Sequence, residues 1–261
     1  MHLYPTERHV APSPSAWDPE RVSRWLTTWS SAALDGWQQA GCWPMHPRDV
    51  ASDSPADPMH CLYLGSAGVW LALVRVAQAG LCHVPMPVAD IHARIATNYA
   101  HRPDLGERFP SWFLGESGIL TGQWLARPDD AIADRLAAIV HDNRENPTRE
   151  ALWGAPGTMI AALFLHEATS EARWADLFRA SADALWASWF HDEATDTWLW
   201  EQDLYGQRVR YLGAGHGWAG NLYPLWRGHA LLDPEQQTRL RDRTLTAIAR
   251  EVSTLFLHEP A

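Results

Sequence analysis

Apolar residues recur at helical spacing along most of this chain, in runs of two alternating kinds. The first run, from Asp18 to about Ala40, sets Trp25, Leu26, Trp29, Ala33 and Trp37 on one stripe. Residues 69–74 are almost wholly apolar and predict a buried helix after Gly65, whereas Pro87 to Ala100 is amphipathic. The alternation returns in Gly115 to Leu125 against Asp129 to His141, and in Ala155 to His166 against Ser170 to Trp189. It closes with an apolar stretch from Gly220 to about Leu231 against Pro234 to Leu257. Apolar helices paired with amphipathic ones are what two concentric layers require. The pattern predicts an all-α chain of about four helical hairpins behind one extra N-terminal helix, a single domain over residues 1–261. Residues 1–16, with three prolines and no apolar period, read as coil, and Pro44 to Pro58 as a loop.

One segment breaks the helical period. Residues 197–202, a turn at Leu204-Tyr205-Gly206-Gln207 and residues 208–212 predict a small β-hairpin. It leads directly into a glycine-rich stretch.

Four such stretches share a pattern: an aromatic or aliphatic lead, two glycines three apart, then an apolar run. They centre on Gly65-Ser66-Ala67-Gly68, Gly115-Glu116-Ser117-Gly118, Gly154-Ala155-Pro156-Gly157 and Gly213-Ala214-Gly215-His216-Gly217-Trp218-Ala219-Gly220. Glycine in a helix costs about 1 kcal/mol against alanine, so a fourfold recurrence points to a shared purpose. On one reading, bare helix N-termini converge on a centre and aim unpaired N–H groups at it, a setting for an anionic ligand. On the other, the glycines serve only tight packing.

Composition narrows the field. A chain of 261 residues, 46% hydrophobic, can bury a sizeable core. No run reaches the roughly 18 apolar residues of a membrane span, and the N-terminus lacks a signal-peptide layout, so the expectation is a cytoplasmic protein. A net charge of −10 without a basic cluster argues against nucleic acid as a partner. All 21 basic residues are arginine, which excludes a lysine Schiff base or a P-loop lysine. Three cysteines, Cys42, Cys61 and Cys82, follow no paired spacing and are expected to be reduced. Sixteen tryptophans must fill a core or line a cavity.

In content and order the glycine motifs resemble those of the lanthionine synthetase C-like family. Tyr63-Leu64-Gly65-Ser66-Ala67-Gly68 is similar to its first motif and Phe113-Leu114-Gly115-Glu116-Ser117-Gly118 to its second. Residues 150–157 are similar to the third, and the hairpin followed by residues 211–220 to the fourth. The resemblance implies an α/α toroid, here incomplete or partly closed, with a peptide or small-molecule ligand in a central cavity. It implies zinc-dependent addition of a thiol to dehydroamino acids. The family's zinc is held by a cysteine of the fifth repeat and a Cys-His pair of the sixth. This chain carries neither a Trp-Cys-x-Gly nor a Cys-His-Gly sequence, so no metal ligands and no cofactor are evident and the activity is expected to be degenerate. His60, Cys61, Cys42, Cys82, His46 and His83 show no spacing suited to a three-ligand zinc site. Uncovered flanks of a four-hairpin array invite a homo-oligomer or a completing chain.

His216, between two glycines, is the leading catalytic candidate. The resemblance gives it a proton to move during thiol addition, and a histidine suits that task, although it could equally just bond the neighbouring hairpin. Glu150 stands where the family has an acid facing the cavity, or it complements a helix dipole. Trp153, Trp218, Glu116, Asn221 and Arg210 are candidate ligand-binding residues. Arg208 and Arg210 alternate on the hairpin, where they either face a carboxylate or protect an edge. The toroid also hosts carbohydrate-active enzymes, whose two carboxylates, about 5 to 9.5 Å apart, would come from Glu116, Glu150 and Asp203. A non-catalytic peptide-binding or scaffold module is the third class.

Overall fold

The computed structural model describes residues 16–46, 50, 57–84 and 86–256. Nearly all of the expected coil over 1–16 and most of the expected loop over 44–58 lie outside the described residues. Helices form where the apolar period predicts them. They are α1 (Pro19–Ala40), α2 (Ser66–Gln78), α3 (Val88–His101), α4 (Glu116–Ala126), α5 (Asp130–Asp142), α6 (Ala155–Thr169), α7 (Ala172–Ala187), α8 (Trp218–Arg227) and α9 (Pro234–Phe256). Aspartates cap three of them: Asp18 accepts from Arg21 N at 2.9 Å, Asp129 from Ile132 N at 3.1 Å and Asp233 from Gln236 N at 2.8 Å. Among the described residues no helix is long and apolar enough to cross a membrane.

The helices that follow glycine motifs pack in a row, α2 on α4, α4 on α6 and α6 on α8. Between them and around them, α3 packs on α4, α5 on α6, and α7 on α6 and α5. Residues 155–163 of α6 are all buried, whereas α3, α5 and α7 each bury one stripe. The main core joins α4 to α9 around Met159, Leu165, Trp174, Phe178 and Trp200. A smaller one joins α1 to α3 around Trp37, Trp70, Leu73 and Ile91.

Two expectations change. The hairpin is two two-stranded sheets: β1 (Phe190–Asp192) pairs with β2 (Thr197–Leu199), and β3 (Gln202–Leu204) with β4 (Gln207–Val209). The predicted run over 197–202 is broken at Trp200, which leaves the ladder to stack on Trp189 at 4.1 Å and to donate from Nε1 to Leu185 O. The turn at Tyr205-Gly206 is as predicted, with positive φ at both positions (53° and 76°). The fourth pair also differs from a helical hairpin: the close contacts of α9 are with β2. There the Arg243 guanidinium lies over the Trp198 ring, 3.4 Å from its centroid, with Trp186 and Trp189 at 5.0 and 4.9 Å.

The glycine motifs resolve in favour of packing. Before each glycine-led helix the chain makes a turn that folds back under the helix N-terminus. The N–H groups there are already used: Ser66 and Ala67 donate to Met59 O and His60 O, Glu116 to Phe109 O, and Trp218 and Ala219 to Tyr211 O and Leu212 O. Each pair is seven residues apart. The free N–H groups expected to await an anion are therefore already bonded at the starts of α2 and α8, and the first of them is bonded at α4. The second glycine of each motif lies against a carbonyl six residues earlier. A Cβ at Gly68, Gly118, Gly157 or Gly220 would overlap the carbonyl oxygen of Leu62, Trp112, Ala151 or Ala214. None of these glycines has a positive φ, so the demand is steric rather than conformational.

The first three turns also share a side-chain cap four residues before the first glycine. Cys61 Sγ accepts from Leu64 N at 3.4 Å, Ser111 Oγ from Leu114 N at 2.8 Å, and Glu150 Oε1 from Trp153 N at 2.6 Å. Cys61 is wholly buried, and burial pushes its thiol up to about 12. At pH 8 the native thiol is neutral and covered, so alkylation by iodoacetamide, followed by peptide mass mapping, should mark Cys61 only when the chain is unfolded.

Candidate functional site

Neighbouring turns are tied to one another. Tyr63 N donates to Phe113 O, Ser111 Oγ to Leu152 O, and Leu152 N to Gly215 O. The third and fourth turns are thereby held side by side, and this brings Glu150 to His216 across 66 residues of sequence.

Glu150 is fully buried. Where Cys61 and Ser111 offer one acceptor to their turns, its carboxylate offers two oxygens. Oε1 takes Trp153 N at 2.6 Å; Oε2 takes Leu152 N at 2.9 Å and faces His216 Nδ1 at 3.1 Å. Burial raises the Glu150 carboxyl above its ordinary value, opposed by the two amide N–H groups and by His216. A neutral His216 that donates Nδ1–H to this carboxylate carries its lone pair on Nε2. The imidazole is about one third exposed and sits between two aromatic rings, Tyr205 at 6.0 Å and Tyr211 at 6.5 Å between centroids. A buried carboxylate thus orients a solvent-reachable imidazole. This arrangement can take up or deliver one proton at Nε2.

Local strain accompanies the pair. Arg149, directly before Glu150, has φ 44°, a left-handed conformation uncommon for arginine. Its carbonyl accepts from Asn221 Nδ2 at 2.9 Å, and Asn221 is itself fully buried in the first turn of α8. Asn221 thus braces the backbone beside the pair and has no exposed surface for a ligand.

The other candidates divide. Trp153 belongs to the site: its main-chain N–H holds Glu150, and its Nε1 donates to Tyr205 Oη at 3.2 Å. Trp218 is buried in the main core. Glu116 is clamped by Arg135, Nε to Oε1 at 3.0 Å and Nη2 to Oε2 at 2.6 Å, and ties α4 to α5. Arg210 is engaged by Asp192 at 2.8 Å and Glu201 at 3.5 Å and lies over Phe190, while Arg208 pairs with Glu201. These arginines brace the two small sheets. Of the three carboxylates considered for glycoside hydrolysis, Glu116 and Glu150 are buried with their oxygens hydrogen-bonded within the protein, and Asp203 is exposed on β3.

No family model and no curated protein matches the chain. Among the described residues no group of three or more His, Cys, Asp or Glu is placed to hold a metal ion. The main-chain N–H groups of His60 and Cys61 are held by the Asp104 carboxylate at 2.7 to 2.9 Å, and both side chains are buried. The described residues therefore do not fit the three-ligand zinc site of the family that the motifs resemble.

Two residues at the site were not singled out by sequence. Tyr205 and Phe109 join Trp153, Pro110, Asn146, Thr148 and Leu204 around a cavity of about 270 Å³. The sequence signal for Tyr205 is its place beside Gly206 in the predicted hairpin turn. A larger cavity, about 360 Å³, lies between the start of α6 and the end of α7, and neither His216 nor Glu150 lines it.

Proposed function

We propose that the chain is a lanthionine synthetase C-like helical module, part of an open toroid, that binds a peptide carrying a dehydroamino acid at His216 and keeps the proton-transfer half of thiol addition. The observation that supports this reading is the pairing of buried Glu150 with the partly exposed His216 across the third and fourth glycine turns. In thiol addition a thiolate attacks the β-carbon of the dehydroamino acid, and the electron pair displaced onto the α-carbon must be protonated. His216 Nε2, with Glu150 balancing the imidazolium, is the donor of that proton, and it recovers a proton from the next thiol or from water. Only the proton transfer is asked of this chain's own residues, and the thiol is taken as already ionised.

The reading predicts dependence on the thiol. An aromatic thiol already ionised at pH 7.5 should add to a dehydroalanine peptide about 100-fold faster with the protein than without it, the range expected of one acid–base group. An alkyl thiol, largely protonated at that pH, should gain little. His216→Ala should remove the acceleration while leaving the circular dichroism spectrum unchanged. Adduct formation followed by mass spectrometry checks this. Equal rates with and without protein for the ionised thiol would overturn the reading.

A further inference from the structure

The cavity beside His216 has walls that say what fits it. Phe109, Trp153 and Tyr205 supply aromatic faces, with Phe109 and Trp153 packed edge to face at 5.4 Å, and Pro110 and Leu204 complete the apolar lining. Among the described residues no charged side chain lines it. Its polar side chains are mostly spoken for within the protein. Trp153 Nε1 donates to Tyr205 Oη, and Asn146 donates to Asn143 Oδ1 and accepts from Thr148 N. The exception is Thr148 Oγ1, which is buried without a hydrogen-bond partner among the described residues, but it would meet a Cβ at Gly154 and so lies against the turn. An occupant with hydrogen-bonding groups would leave them unsatisfied, which disfavours a polar or charged one.

Size points the same way. About 270 Å³ falls below the smallest pockets that enclose a whole drug-sized ligand, and it suits one large side chain. Tyr205 is shared: it walls the cavity and faces the His216 ring, so one side chain stands between the cavity and the imidazole. Trp153 is shared as well, through the N–H that holds Glu150.

We propose that this cavity is a subsite for an aromatic side chain of the bound peptide, next to the residue that reacts at His216. The proposal rests on the peptide-binding reading above and adds to it the class of peptide preferred. Aromatic side chains carry large apolar area and gain from edge-to-face contact with walls of this kind.

The test uses two labelled peptides that differ only in having Phe or Ala on both sides of a dehydroalanine, with affinity read by fluorescence anisotropy. The Phe peptide should bind about ten-fold or more tightly, as burial of one large apolar side chain predicts. Tyr205→Ala removes one wall on an exposed turn, where folding does not depend on the ring, and should shrink that ratio to about two-fold or less. Tyr205→Phe keeps the ring and should keep the ratio. Equal affinities in the native protein, or a ratio untouched by Tyr205→Ala, would overturn the subsite while leaving peptide binding in place. Failure of both peptides to bind would overturn the binding reading and the subsite with it.

Discussion

Gly220→Ala is expected to destabilise the chain by about 3 kcal/mol, while Gly215→Ala, five residues earlier in the same motif, changes stability by less than about 0.5 kcal/mol. The contrast is instructive because an ordinary helix gains about 1 kcal/mol from the same exchange. At Gly220 the new Cβ would overlap the Ala214 carbonyl oxygen and press on Ala151 Cβ at 3.0 Å. Neither neighbour can step aside. Ala214 lies in the turn whose Tyr211, Leu212 and Gly213 carbonyls bind the first N–H groups of α8, and Ala151 lies in the third turn beside Glu150. At Gly215 nothing lies within 4 Å of the added carbon. For a chain of this size 3 kcal/mol corresponds to a fall in Tm of roughly 6 to 12 °C, and thermal unfolding by circular dichroism resolves that easily. If the two variants melted together, the steric account of the glycine motifs would be wrong.

This prediction also marks where the sequence stopped being legible. Helix positions were readable because burial imposes a 3.6-residue period on composition, and each helix lies within a few residues of its expected place. The glycines were recognisable as a set, yet their purpose depended on bonds between residues seven apart in a turn with no periodic signature. Free N–H groups at a helix start and N–H groups bonded to the preceding loop look alike in sequence. The β excursion was found and split wrongly, because Trp200 reads as a strand residue and instead fills the core against Trp189. Strand β1 has only three residues and follows α7 almost at once, too short for alternation to show. For α9 the amphipathic pattern was clear but its partner was not. A stripe says that a helix packs, and the stack of Arg243 on Trp198 decides where.

The site was legible as residues and not as contacts. Glu150 and His216 were each singled out, but their separation of 66 residues is bridged by tertiary bonds between the turns, Leu152 N to Gly215 O and Asn221 Nδ2 to Arg149 O, that sequence does not display. Glu116 and Arg210 look, in sequence, as available as Glu150. Their partners Arg135 and Asp192, 19 and 18 residues distant, convert them to braces.

Glu150 itself carries the second large effect. Glu150→Ala should cost about 3 kcal/mol, since it strands the Trp153 N–H, opens a void under the turn and frees His216. Glu150→Gln is the sharper probe. A carboxylate accepts from all three donors, Leu152 N, Trp153 N and His216 Nδ1, whereas an amide has one accepting oxygen and a pair of N–H donors. With the oxygen kept on Trp153 N, the amide nitrogen faces His216 and fixes the other tautomer, with the proton on Nε2. The imidazole then stays in place but can no longer accept a proton there, and thiol addition should fall by about 100-fold in a folded protein. Stability supplies an independent check through pH. Because burial raises the Glu150 carboxyl in the folded state, the native chain has its full stability below the ordinary glutamate value of 4.5 and loses part of it as pH rises through the raised value. Glutamine has no such slope. The stability advantage of the native chain over Glu150→Gln should therefore be largest near pH 4 and shrink toward pH 7, measured by urea unfolding at each pH. An advantage that grew with pH would mean that the hydrogen bonds to the carboxylate outweigh its burial.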